Sequence, residues 1–267
     1  MMNILERIIQ HKHMEVGQAK KAVSIQQLKE MPAFSRQGNS LVRELLRPDT
    51  TGIIAEYKRA SPSRGIINST ATTATVVEAY RNSGAAAVSV LTDQEFFNGS
   101  LEDLRTARKV APDLPILRKD FIIDEYQIIE AKAHGADIIL LIAANLSPAQ
   151  VLELAECAKS YQLEVLLEIH NDSELNHICD AVDIVGVNNR DLKTFVVDLH
   201  TSVQLSPRIP VQKIKISESG IQTAEHIALL KNSGFSGFLI GENFMKAEDP
   251  AIAFARFVES LSSTSSS

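Results

Sequence analysis

The stretch LPILRKDFIIDEYQIIEAKAHGADIILLIA, residues 114–143, contains one complete strand–helix–strand unit. Two mainly apolar runs, 114–119 and 136–143, have the length and composition of buried strands. Between them lies a helix-like segment that ends at Gly135, at the left-handed position after a helix that favours glycine. Two strands separated by a helix predict parallel pairing through a right-handed crossover.

The same alternation continues outward over most of the chain. Further strand candidates lie at 52–58, 85–92, 163–169, 182–188, 213–217 and 237–241. Their nearly continuous apolar character indicates that both faces of the sheet are covered. Eight such units favour the α/β class and a (β/α)₈ TIM barrel. An open doubly wound sheet is the alternative, although the turn after the first strand, RASPSRG at 59–65, lacks its glycine-rich dinucleotide fingerprint.

The chain of 267 residues has no linker-like segment in its interior, so we expect a single domain. Residues 1–50 precede the first strand, and Ile4, Leu5, Ile8 and Ile9 recur there at helical spacing. This spacing predicts an N-terminal helical extension packed on the body. The barrel is expected over residues 51–260, and the small polar tail 261–267 is expected to be disordered.

Charge and composition argue against several classes of protein. The formal net charge of −6 offers no basic surface for nucleic acid, and no apolar run is long enough to span a membrane. The N-terminus lacks the features of a signal peptide, and Cys157 and Cys179 carry no motif, so we expect a cytoplasmic protein with buried, reduced thiols. The histidines lack metal-ligand spacing and there is no Walker loop, so no metal site is expected.

Charged and polar residues stand at the carboxyl ends of the predicted strands, which meet at one mouth of a barrel. Each of them alone is most simply a solvated charge at a strand end. Together they bring carboxylates and ammonium groups into one place, which is a supply of acids and bases for proton transfer. In chain order they are Glu56 and Lys58, which alternation sends to one face, and then Lys119, Glu168, Asn188 and Glu218.

A second pattern concerns anions. Ser219-Gly220 follows the seventh strand and Gly241-Glu242 follows the eighth, each glycine opening a turn into a helix. Loops at this place in barrels commonly hold a phosphate through backbone N–H groups. The alternative is that these glycines only make tight turns. The hydroxyl of Ser61, after the first strand, is a further candidate for the phosphate.

At these residues the sequence resembles the indole-3-glycerol-phosphate synthase family. The resemblance runs nearly end to end, through seven motifs in fixed order. They are IIAEYKRASPSRG (53–65), LTDQEFFNGSLEDL (91–104), PILRKDFIIDEYQIIEAKAHGADIILLI (115–142), LLEIHND (166–172), VGVNNRDLKTFVVD (185–198), ISESGI (216–221) and LIGENFM (239–245).

The resemblance implies that 1-(2-carboxyphenylamino)-1-deoxyribulose 5-phosphate is closed to indole-3-glycerol phosphate with loss of carbon dioxide and water. It implies that Lys119 is the general acid of ring closure and Glu168 the base of dehydration. Lys58 would hold the substrate carboxylate or serve as the second acid. The other matching residues are Glu56, Asn188 and Glu218, orienting the lysines and the sugar hydroxyls; Ser61, Ser219, Gly220, Gly241 and Glu242, around the phosphate; Phe97 and Phe121, around the aromatic ring; and Arg190, near the mouth.

The aminophenyl ring is itself the nucleophile, so no cofactor is expected. The expected partner is this small phosphorylated molecule, with the protein a monomer or a weak homodimer. Two alternatives remain open at this point. One is another phosphate-binding barrel, such as the isomerase that makes the precursor of this substrate. The other is a barrel kept only for binding, although Lys119 and Glu168 are both present in the sequence.

Overall fold

The computed structural model describes residues 3–264, and within them eight parallel strands form a closed barrel. Each strand overlaps the span predicted for it, so the barrel is confirmed and the open sheet was wrong. The strands are β1 Ile53–Tyr57, β2 Ala87–Leu91, β3 Ile116–Lys119, β4 Ile138–Ile142, β5 Glu164–Ile169, β6 Ile184–Asn188, β7 Ile214–Glu218 and β8 Gly237–Ile240.

Helices precede, connect and follow the strands of the barrel. They are α1 Ile4–Ala22, α2 Ile25–Lys29, α3 Leu41–Leu45, α4 Thr73–Asn82, α5 Gln94–Phe97, α6 Leu101–Val110, α7 Glu125–Ala133, α8 Pro148–Ser160, α9 His200–Leu205, α10 Ala224–Asn232, α11 Glu242–Met245 and α12 Pro250–Thr264. Between β5 and β6 the connection is a 3₁₀ helix, Asp172–His177, instead of an α-helix. Gly135 follows α7 with a φ of 94°, as its position in the sequence predicts.

Residues along each strand alternate between the barrel interior and the layer beneath the helices. In β1, Ile54 packs inside the barrel, whereas Ile53 and Ala55 pack outward. The next inward residue of β1 is Glu56, and in the same way Glu168 follows Leu166 in β5. The interior is therefore apolar in its lower layers and charged at the carboxyl ends of the strands.

The N-terminal extension does more than cover the outside. Helix α1 packs on α7, where the hydroxyl of Tyr126 donates to the carbonyl oxygens of Ala19 and Val23 at 3.0 and 2.9 Å. Helix α3 inserts Leu41 and Leu45 into the interior cluster and closes the amino-terminal end of the barrel. The extension thus runs from one end of the barrel to the other.

The C-terminal helix α12 continues to Thr264. The helix thus reaches into the segment 261–267 for which the sequence predicts disorder, and Leu261 packs on the core. Residues 265–267 of the predicted tail lie outside the described residues. Cys157 and Cys179 are free but half-buried, which corrects their predicted full burial. No described helix combines the length and apolarity that crossing a membrane requires.

Candidate active site

Two adjoining cavities open at the carboxyl ends of the strands, and every site residue predicted from the sequence lines one of them. All of these residues except Gly220 and Gly241 line the first cavity, and these two glycines line the second. Lys58 and Arg190 border both cavities, which makes the two a continuous space.

Lys119 lies at the centre of the first cavity. Its Nζ is 2.7 Å from Oε2 of Glu168 and 2.9 Å from Oε2 of Glu218. These two glutamates come from β5 and β7, and both are almost fully buried. Close by, Nζ of Lys58 lies 2.7 Å from Oε1 of Glu56. The mouth therefore holds two ammonium groups and three carboxylates in direct contact.

These contacts set the protonation of Lys119 and Glu218. Burial alone would lower the pKa of Lys119, but Glu168, Glu218 and Glu56 outweigh it and raise the pKa above its usual value. Burial, together with the charge of Glu168, raises the pKa of Glu218 to about 7 despite the opposing charge of Lys119. At neutral pH Lys119 is thus a charged acid, and Glu218 is the carboxylate nearest to taking up a proton.

One end of the first cavity is apolar. The rings of Phe97 and Phe121 lie there with centroids 6.0 Å apart. Ile4, Leu5 and Ile8 of α1 complete this end, so the N-terminal helix forms part of the cavity wall. The helical spacing of these three residues predicts that α1 packs on the barrel. It does not predict that this face of the helix borders the cavity.

The opposite end carries cationic side chains and a strained turn. Oε2 of Glu242 lies 3.2 Å from Nη2 of Arg190, and its Oε1 lies 3.1 Å from Arg64, so this carboxylate holds an arginine on each side. Ser219 and Gly220 have φ values of 68° and 81°, two successive left-handed residues that turn the backbone after β7. Unusual backbone of this kind clusters at ligand sites.

Asn188 and Ser61 take positions between these ends. Oδ1 of Asn188 accepts the backbone N–H of Arg190 at 3.0 Å, so the amide fixes the start of the loop that carries this arginine. Ser61 lines the first cavity and does not border the second, where Gly220 and Gly241 lie. Its hydroxyl is therefore set apart from the two glycine turns with which the sequence grouped it.

Known proteins of one family match nearly the whole of this chain. Residues 5–257 match the family model described as indole-3-glycerol phosphate synthase. A protein of that name from Bacteroides thetaiotaomicron is 47% identical over 261 residues, which cover 98% of this chain and 100% of the relative. Another from Bordetella pertussis is 42% identical, covering 97% of this chain and 100% of the relative.

The chain belongs to the indole-3-glycerol phosphate synthase family. This decides against the isomerase that the sequence left open.

Solved structures with much lower identity share the fold alone. They include 3-hexulose-6-phosphate synthase from Salmonella typhimurium, with a TM-score of 0.62 and 11% identity, covering 79% of this chain and 99% of that one. Tryptophan synthase subunit alpha from Legionella pneumophila has a TM-score of 0.60 and 15% identity, covering 84% and 97%.

In this indole-3-glycerol phosphate synthase family member, His170 is a site neighbour that the sequence argument missed. Its Nε2 lies 3.2 Å from Oε1 of Glu168, and its Nδ1 lies 3.3 Å from Oε2 of Glu174. Burial alone would lower the pKa of His170, but the two carboxylates outweigh it and raise the pKa to about 10. The imidazole is therefore charged at neutral pH. The signal was present in LLEIHND, because His170 follows Glu168 at the alternate position of the strand.

Glu168 consequently lies between two cations, with one carboxylate oxygen facing Lys119 and the other facing His170. Although burial favours the protonated form, these cations lower the pKa of Glu168 below its usual value. A buried carboxylate that stays ionised at neutral pH is able to accept a proton from a bound molecule. Among the described residues there is no group of three or more His, Cys, Asp or Glu side chains arranged for a metal ion.

Proposed function

We propose that this protein is an indole-3-glycerol-phosphate synthase. It converts 1-(2-carboxyphenylamino)-1-deoxyribulose 5-phosphate to indole-3-glycerol phosphate, carbon dioxide and water. The observation that carries the proposal is Lys119, a partly buried ammonium held between Glu168 and Glu218 with an apolar cavity end on one side and a cationic end on the other. The membership of the family supports the same activity.

The two ends of the cavity match the two ends of this substrate. The aromatic ring fits the apolar end, between Phe97, Phe121 and the wall from α1. The phosphate fits the second cavity, which Gly220, Gly241 and Arg190 line. Backbone N–H groups of glycine turns at this place in barrels bind phosphate, and Arg190 adds a positive charge. This orientation brings the ketone of the sugar to Lys119, in the middle.

Ring closure is the first step. The ring carbon that bears the carboxylate attacks the ketone carbon, a carbon–carbon bond forms, and the ketone oxygen gains negative charge. Lys119 stabilises this oxygen and gives it a proton. Lys58, paired with Glu56, holds the substrate carboxylate until the carbon–carbon bond to it breaks. The electrons of that bond return to the ring as carbon dioxide leaves.

Dehydration is the last step. The new hydroxyl leaves as water with a proton from an acid, for which Lys58 is the candidate. Glu168 takes a proton from the methylene group next to the nitrogen, and the double bond of the indole forms. Lys119 and Lys58 give up two protons and Glu168 takes up one, so each turnover draws one proton from water, because the substrate carboxylate leaves as neutral carbon dioxide. No electrons are gained or lost overall, so no redox partner enters the balance.

The test is an assay of the full chain with this substrate. We expect the absorbance and fluorescence of the indole to rise, with one carbon dioxide released for each indole formed. A protein that binds the substrate and leaves it unchanged would reduce the proposal to a binding role.

His170→Gln is expected to shift the pH dependence of turnover. The variant keeps a hydrogen-bond donor but loses the positive charge that faces Glu168, so the pKa of Glu168 rises. The base is then protonated at a higher pH, and the acid limb of the kcat profile moves to higher pH. The control is His177→Gln, whose ring binds the carbonyl oxygen of Leu146 at 2.9 Å. Superimposable profiles for the two variants would contradict the effect.

Gly220→Ala is expected to weaken phosphate binding more than it slows turnover. A Cβ at this left-handed residue would come within 2.5 Å of Cγ1 of Val197, so the turn and its N–H groups must move. A hydrogen bond from a backbone N–H to a charged group contributes about 2 kcal/mol, and its loss corresponds to a rise in KM of about 30-fold. Gly241 is a poorer choice, because its Cβ would lie 2.6 Å from Oε1 of Glu56 and disturb the charge cluster as well.

The measurements for Gly220→Ala are KM, kcat and the inhibition constant of inorganic phosphate. We expect KM and the inhibition constant to rise together. If inorganic phosphate inhibits the variant as strongly as the parent protein, the phosphate binds elsewhere.

A further inference from the structure

Lys12 is a fully buried lysine in the middle of α1. Its Nζ lies 2.9 Å from Oδ2 of Asp93, 2.9 Å from Oδ1 of Asp120 and 2.9 Å from Oε2 of Glu15. A fully buried lysine is rare in proteins unless it is paired. Here burial alone would lower the pKa of Lys12, but the three carboxylates raise it, so the side chain stays charged.

The two barrel carboxylates that bind Lys12 also organise the loops above the cavity. Oδ1 of Asp93 accepts the N–H of Phe96 at 2.8 Å and so caps α5, the short helix that ends at Phe97. Oδ1 of Asp120 accepts the N–H of Phe121 at 2.8 Å. One ammonium group therefore joins the two loops whose aromatic rings form the apolar end of the cavity.

The same face of α1 carries the rest of that apolar end. Ile8 and Leu5 precede Lys12 by four and seven residues, which is the helical spacing of one face. Ile4, Leu5 and Ile8 line the cavity, whereas Lys12 lies behind it and does not. The ion pairs of Lys12 thus fix α1 to the two loops. Ile4, Leu5 and Ile8, which precede Lys12 on the helix, form the α1 wall of the cavity.

We propose that Lys12 is a positioning residue that sets the distance between the α1 wall and the loops of Phe97 and Phe121, and so shapes the binding site for the aromatic half of the substrate. This inference rests on the proposed function for the identity of the aromatic group. Lys12 contacts neither the cationic end nor the Lys119 cluster. Its loss is therefore expected to weaken binding of the aromatic half of the substrate and to leave binding of the phosphate half unchanged.

The experiment compares Lys12→Met with Lys20→Met in the full chain. Lys20 lies on the same helix and also pairs with the barrel, at 2.7 Å from Oδ2 of Asp124, but this pair is exposed. The measurements are KM, kcat and the inhibition constants of two probes, 2-aminobenzoate for the aromatic end and inorganic phosphate for the other. The parent protein in the same assay tests the proposed function by itself.

For Lys12→Met we expect KM and the inhibition constant of 2-aminobenzoate to rise at least about tenfold, and that of phosphate to change less than about twofold. Lys20→Met is expected to change none of them. An unchanged constant for 2-aminobenzoate overturns the proposal, even if the melting temperature falls. An equal loss for both probes also overturns it, because that result means general loosening.

A second variant covers the case in which Lys12→Met does not fold. Lys12→Met combined with Asp93→Asn removes one charge of each sign, keeps an oxygen to cap α5, and leaves Asp120 paired with Arg118 at 3.0 Å. We expect this double variant to fold and to bind 2-aminobenzoate more weakly than the parent protein does. Binding at the parent level in the double variant would overturn the proposal, since the wall would then hold its place without the ammonium.

Discussion

Lys119→Met is expected to lower kcat by about 10²–10⁴-fold in a protein that still folds, which is the usual contribution of a positioned general acid. Methionine keeps the length of the side chain and loses the proton. The ketone oxygen then gains its negative charge without a partner. Ring closure is the step affected, so carbon dioxide release and indole formation are expected to fall together.

The rival explanation is that Lys119 only neutralises Glu168 and Glu218, which it contacts at 2.7 and 2.9 Å. Breaking a buried ion pair by removing one partner typically costs about 3–5 kcal/mol of stability. That loss is moderated here, because the pKa of Glu218 is already raised to about 7 and this carboxyl can take up a proton. A structural role predicts a lower melting temperature with much of kcat retained.

The double variant Lys119→Met with Glu218→Gln separates the two explanations. It removes one charge of each sign and leaves Glu168 with His170. We expect its melting temperature to return toward that of the parent protein while kcat stays low. A stable single variant with near-normal turnover would instead move the proton donation to Lys58.

The barrel was predictable because its signals are local. A strand such as 136–143 and the glycine after α7 are visible in a short window of sequence, and alternation then decides which side chains enter the barrel. The same reasoning placed Glu56 and Lys58 together, and the structure brings them to 2.7 Å. Convergence at the carboxyl ends of parallel strands needs no further information once the barrel is known.

Contacts that depend on how helices and neighbouring strands pack were not predictable in this way. The sequence of α1 gives no sign that Asp93 and Asp120 will enclose Lys12, because the burial of a charge depends on the loops that pack against the helix. The position of the Glu218 side chain likewise depends on a neighbouring strand. A Cβ at Gly186 would lie 2.3 Å from its Oε1, so the carboxylate uses space left by a missing side chain on the neighbouring strand.

Glu168→Gln is the second change with a large expected effect, and it should act on a different step from Lys119→Met. Glutamine cannot take the proton from the methylene group, so dehydration stalls. We expect kcat for indole formation to fall by about 10²–10⁴-fold. The amide also meets two hydrogen-bond donors, Lys119 on one side and His170 on the other, so its NH₂ group must face a cation in either orientation.

The control is Glu164→Gln, on the same strand but at the opposite end of the barrel. Glu164 accepts the backbone N–H of Leu41 at 2.8 Å and so anchors α3, away from the cavity. This variant is expected to lose stability and to keep its turnover. It therefore shows what the loss of a half-buried, hydrogen-bonded carboxylate on β5 does to the protein without any loss of a base.

A single turnover resolves the order of events in Glu168→Gln. Ring closure and decarboxylation come before the proton is removed from the methylene group, and Lys119 is still present to serve them. Carbon dioxide should therefore be released in the first turnover, while the indole absorbance lags far behind it and a hydroxylated intermediate accumulates. In Lys119→Met both signals should be slow. If carbon dioxide and indole are delayed equally in Glu168→Gln, this carboxylate acts before decarboxylation, and the base for dehydration has to be sought at another group, with Glu218 the nearest carboxylate to Lys119 after it.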